Sequence, residues 1–252
     1  MRRTMMAGFL AGALLVGGVW PLAQNHDHKK AGEQGGSEAV FNQTTAAMAS
    51  RQVDMGPHMK MTRVRRIRPG DAERADEVAQ AARTALEKYR DYKAAEADGY
   101  QIFLPQFPQK MYHFTNYRYA FEAAFVFNPS KPTSLLYEKS GDGYKLVGAM
   151  YTAPKDMSEP ELDERIPLSV AQWHAHVNLC LPPRGRRSEA RGKNPRFGLN
   201  GSIAAREACE KEGGFFVPQI FGWMVHLYPF ETTREKVWSL DPQKPQAHSH
   251  SH

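Results

Sequence analysis

The stretch "QWHAHVNLC", Gln172 to Cys180, sets two imidazoles one residue apart in a run that otherwise alternates Trp, Ala, Val and Leu. Side chains of an extended chain point alternately to opposite faces. His174, His176 and Asn178 therefore share one face, and Trp173, Ala175, Val177 and Leu179 the other. "FGWMVHLYPF" follows the same pattern, with Met224, His226 and Tyr228 opposing Trp223, Val225 and Leu227. Two histidines at i and i+2 with a third from a second strand are one way for a β-scaffold to assemble three imidazole ligands for a transition metal. "MYHFTNY" adds His113, and "LLYE" ends on Glu138, the acid best placed to join them. Between residues 71 and 238 the only histidines are His113, His174, His176 and His226, all flanked by aromatic or aliphatic residues. The competing reading is a hydrogen-bonded polar strand face with no ligand.

Other chemistries leave no trace. The chain has no GxSxG, HExxH, CxxCH, P-loop or GxGxxG pattern. Cys180 and Cys209 are the only cysteines. In an oxidising compartment they are most simply one disulfide, worth on the order of 3.5 kcal/mol for a loop of about 30 residues. They lack the CxxC spacing of common zinc sites.

The elements that position these residues begin with a helix. Asp71 can cap "AERADEVAQAARTALEKYRDYKAAEADGY", where Val78, Ala81, Ala82, Leu86, Tyr89 and Tyr92 or Ala95 recur at helical spacing, and Gly99 ends it. Tyr100 to Pro108 reads as extended, because Pro105 and Pro108 exclude helix. "TSLLYEK" and "YKLVGAMY" flank "SGDG" as a β-hairpin, with Leu136 and Glu138 on one side and Leu135 and Tyr137 on the other. "AQWHAHVNLC" and "FGWMVHLYPF" are two further strands, joined by a basic excursion with a short helix in "GSIAAREACEKEGG". The expected fold is α+β, an N-terminal helix packed on a mostly antiparallel sheet or small half-open barrel with the site at its open end.

The ends read differently. Residues 1–23 resemble a secretory signal, with Arg2 and Arg3 ahead of an apolar run from Met5 to Trp20 that is shorter than the roughly 20 residues of a membrane-spanning helix. Pro21 makes a poor cleavage site, so an uncleaved anchor is the other expectation. The mature chain has no later membrane span. Residues 24–69, rich in Gly, Ser, Gln and Asn, read as a disordered linker. Within it "MGPHMKM" groups thioethers and an imidazole that suit copper, although so short a cluster is more simply chance. One domain over 71–238 and a flexible His-containing tail over 239–252 complete the division. The formal charge of +6 is modest. Its basic runs, "KMTRVRRIRPG" and "PPRGRRSEARGKNPR", lack interleaved aromatics and predict solvated loops rather than nucleic-acid contacts.

The order "DYKAAEADGY", "YHFTN", "PSKPTSLLYEK", "GYKLVGAMY", "WHAHVNLC" and "GFFVPQIFGWMVHLYPF" resembles a family of exported bacterial proteins without assigned function. The resemblance covers about residues 88–230. It implies that His113, Glu138, His176 and His226 occupy recurring polar positions, and it implies no reaction. Many of its relatives carry a single His where this chain has His174 and His176, so the resemblance implies that the doubled HxH belongs to a subgroup.

Three functions are expected from these features: a periplasmic or secreted protein that binds copper or zinc; a metalloenzyme whose open coordination position takes water or dioxygen, with Glu138 as base or fourth ligand; or a module that binds a small molecule or another protein. Free imidazoles titrate near 6.5, so metal affinity is expected to fall as pH drops through about that value.

Overall fold

The computed structural model describes residues 56–105 and 109–240. Its centre is a single seven-stranded antiparallel sheet in the order β1-β6-β7-β5-β4-β3-β2. The strands are β1 (Met59–Met61), β2 (Gln101–Ile102), β3 (Tyr112–Thr115), β4 (Ser134–Ser140), β5 (Gly143–Ala153), β6 (His174–Leu181) and β7 (Phe215–Leu227). Six α-helices accompany them among the described residues: α1 (Asp71–Leu86), α2 (Tyr92–Ala97), α3 (Tyr117–Glu122), α4 (Glu159–Arg165), α5 (Arg206–Lys211) and α6 (Arg234–Val237). The sheet ends at β1 and β2 without closing, so the half-open barrel gives way to an open sheet.

The helical pattern after residue 70 is interrupted where one continuous helix was expected. α1 passes into a 3-10 turn at Glu87–Arg90, and the chain breaks at Asp91, whose carboxylate caps α2 by accepting from the Lys93 N–H at 3.0 Å. A side chain that satisfies the backbone locally ends one helix and starts the next. Asp71 is not the cap but the first helical residue, after Gly70 in the left-handed region at φ 87°. Its buried carboxylate accepts from the Arg65 guanidinium, the Arg68 N–H and the Ser169 hydroxyl. These contacts, the Arg65 hydrogen bond first, hold its pKa far below the usual carboxylate range.

Arg65 also pairs with Asp163 on α4 at 2.7 Å. The lead-in is thus anchored, which corrects the linker expectation for residues 56–69. Met59–Met61 adds a strand to the sheet edge, with Met59 opposite His176 and Met61 opposite His174. A strand of three residues has little drive of its own and exists because the β6 edge offers it hydrogen-bond partners. At the other end Ser239 is buried and Leu240 is still in place, so the fold extends past the expected 238 boundary. The proposed signal, residues 24–55 of the linker and residues 241–252 of the tail lie outside the described residues.

Two clusters fill the helix-covered face. Ala75 and Ala82 pack with Trp173, Ala175, Trp223, Val225 and Leu227. Leu86, Tyr89 and Ala95 pack with Phe114, Leu135, Tyr137 and Ala149. The excursion between β6 and β7 is tied by the Cys180–Cys209 disulfide, with Cα atoms 5.6 Å apart. Its arginines are paired as well: Arg186 and Arg196 both contact Glu189 and Glu212.

Candidate functional site

The face away from α1 and α2 carries the histidines. Leu136, Met111, Met150, Met224 and Tyr228 form a cluster there, and the rings extend from it. His174 pairs across the ladder with Met224, and His226 with Met150. On the far side His113 pairs with Leu136.

β3 and β7 are separated by β4 and β5, three strand steps that in a flat sheet would span about 14 Å. The His113 and His226 ring centroids are nevertheless 6.3 Å apart. The sheet therefore curls, and its histidine face is the concave one. His226 also stands 5.1 Å from His174, and His174 5.7 Å from His176, centroid to centroid. Gly148 helps the approach, since a Cβ there would lie 2.6 Å from the Leu227 carbonyl and 2.8 Å from the Tyr228 ring.

All four rings are neutral by environment. Burial first, then repulsion from His226 and His176, pushes His113 down to about 3. The Met111 backbone acts weakly the other way without forming a hydrogen bond to the ring. His174 is lowered well below the ordinary value by burial and by the other three rings. His176 falls to about 4 through burial, His226 and His58. His226 keeps a partly exposed edge, yet burial still lowers it to about 4. Its Nδ1 lies 3.4 Å from the Leu240 carbonyl. That contact is weak, but it favours the Nδ1–H tautomer and leaves the Nε2 lone pair for another partner. Both His113 nitrogens and the Nδ1 atoms of His174 and His176 are buried with no hydrogen-bond partner.

Glu138 sits two residues beyond Leu136 on the same strand, partly buried, beside Lys145 of β5. Burial, the other rings and His58 lower the ring pKa values. His58 is close but occupied: its Nδ1 lies 3.0 Å from the Asn178 carbonyl and its Nε2 2.7 Å from that of Gly201. The lead-in histidine is thus a latch that holds β1 to the excursion. Asn178, expected on the histidine face, has φ 57° and breaks the alternation. Leu179 and Leu181 then pack with Leu199 and Ile220 instead of with Trp173.

Alternation places Met224 on the His226 face, but sequence reasoning missed Met111 and Met150 as neighbours of the rings. The signal for Met111 was present, because it precedes His113 by two residues and so shares its face. Among the described residues no group of three His, Cys, Asp or Glu side chains is already arranged to hold an ion. Comparison with protein-family models, with curated proteins and with solved structures gives no match to this chain.

Proposed function

We propose that this is an exported protein that binds one transition-metal ion, preferentially copper, through His174, His176 and His226, with His113 adjoining. The observation that carries the reading is the set of neutral imidazoles whose buried nitrogens have no hydrogen-bond partner. An unpaired buried nitrogen costs about 1–3 kcal/mol, so four such atoms favour a face that is completed by something it binds.

Ring spacing supports an ion as that partner. An imidazole bound through nitrogen at about 2.0 Å keeps its centroid about 3.2 Å from the metal. Two such rings stand about 5.2 Å apart at a tetrahedral angle and about 6.4 Å apart when linear. His174 stands 5.1 Å from His226 and 5.7 Å from His176, on or between these limits, and His113 adjoins at 6.3 Å from His226. Met150 and Met224, cross-strand neighbours of His226 and His174, add soft thioethers. Imidazole with thioether favours copper over zinc.

The low ring pKa values move the expected pH dependence. Protons compete with a metal only as pH nears the folded-state pKa, so affinity should hold from pH 7 to about 5 and fail near 4, not near 6.5.

The test is competitive titration of Cu(I) and Zn(II) into the full chain with His248, His250 and His252 changed to Ala, which removes the tail donors. One tight copper equivalent is expected, and His174→Ala or His226→Ala should weaken it at least a hundredfold. If binding disappears with the tail histidines and survives His174→Ala, the face is structural and the proposal fails.

A further inference from the structure

Beside His113 the concave face opens into a cavity of about 560 Å³, within the range of pockets that enclose small organic molecules. Its walls are mainly carbon: Phe103 and Phe221, which meet edge to face at 6.1 Å, with Met150, Ala120 and Ala153. Four of its polar side chains are committed to one another or to the backbone. The Thr115 and Ser134 hydroxyls bond each other at 2.9 Å. The Thr133 hydroxyl donates to the Met150 carbonyl at 2.9 Å, and the Gln219 amide to that of Phe221 at 3.3 Å. Among the described residues of the lining Lys155 is the one Lys or Arg, and it is exposed. His113 differs, being 2% exposed and lining the cavity with neither nitrogen paired.

We infer that this cavity binds an uncharged aromatic alcohol of one or two rings, whose hydroxyl pairs with His113. The walls supply the aromatic preference through edge and face contacts. A charged ligand would lose hydration at the inner end with no counter-charge to meet it there. A neutral imidazole has one donor and one acceptor, and a hydroxyl is both, so whichever nitrogen faces the ligand is satisfied. This inference does not depend on metal binding, since it uses the ring in its metal-free state.

The test is a fluorescence titration of the full-length chain, kept in EDTA, with 2-naphthol and with naphthalene. Sites built to pair a hydroxyl reject the analogue that lacks it, so 2-naphthol should bind saturably and at least tenfold more tightly than naphthalene. His113→Phe should bring the two affinities together while naphthalene still binds. Ala120→Trp, on the short helix at the cavity mouth, should abolish binding of both without lowering the melting temperature, and Ala124→Trp replaces it if that variant does not fold. Absence of saturable binding, equal affinities in the unaltered chain, or binding that survives the filled cavity each overturns the inference. The EDTA keeps the outcomes separate: a chain that takes naphthol and no copper refutes the metal reading alone.

Discussion

The two faces of the sheet are built from alternate residues of the same strands and obey opposite rules. On the helix side Trp173, Ala175, Trp223, Val225 and Leu227 pack against Ala75 and Ala82. Polar atoms there mostly find partners: the Trp223 indole donates to the Met157 carbonyl at 3.1 Å, and the Tyr137 hydroxyl to that of Tyr89 at 2.7 Å. Trp173 is an exception, its indole nitrogen buried without a partner. On the concave side, beside a cluster of methionines, His113, His174 and His176 leave buried nitrogens unpaired. One face contributes stability. The other leaves buried nitrogens unpaired, which costs stability unless something completes them.

The largest expected effect breaks this comparison with acid. The four rings are lowered in the folded protein, so between about pH 6.5 and about pH 4 the unfolded chain binds more protons and stability rises with pH. On lowering pH through that window the metal-free protein should lose on the order of 3 kcal/mol from His176 alone. Denaturant melts at pH 7, 5.5 and 4.5 would measure the loss. A flat profile would mean that the rings are not buried neutral. The Asp71 carboxylate, held low by Arg65, adds its own loss as pH falls through and below the ordinary carboxylate range, where it overlaps the acid end of the His113 and His174 losses.

Next comes the opposite face. Trp173 is fully buried in the helix-side cluster, and Trp173→Ala should cost about 3–5 kcal/mol through lost burial and the cavity left behind. Copper affinity measured under folding conditions should stay within a few-fold, because the ring points away from the histidines. If Trp173→Ala instead removes metal binding while the chain remains folded, the two faces are coupled and their separation here is wrong.

Local period carried a good deal of this arrangement. Alternation through "WHAHV" and "WMVHL" separates the histidines from the tryptophans as the sheet does, because a two-residue period holds wherever the backbone stays extended. It fails at Asn178, where a positive φ that no neighbouring residue demands reverses the parity. The curl that brings His113 to His226 was not legible, since it arises from the twist accumulated over four strands rather than from any local pattern. Nor was β1: "HMKM" has weak strand character, and its structure comes from the edge of β6, more than a hundred residues away. Glu138 was assigned to the site from side-chain parity. Parity fixes a face but not a position along it, and Glu138 pairs across the ladder with Lys145, two residues beyond Leu136.

The smallest expected effect is the sharpest test of the comparison. His176 is 3% exposed, and its buried Nδ1 has no partner. In an ordinary core, removing a packed side chain destabilises. Here His176→Leu, similar in volume, removes an unsatisfied nitrogen and keeps the apolar contacts, so the metal-free protein at pH 7 should be unchanged or up to about 1 kcal/mol more stable. The same change should flatten part of the acid dependence and weaken copper binding. Stability and affinity would then move in opposite directions at one residue, which is the mark of a side chain kept for binding. If His176→Leu destabilises the metal-free chain by several kcal/mol, the ring has a structural partner, and the concave face is a polar core of the ordinary kind.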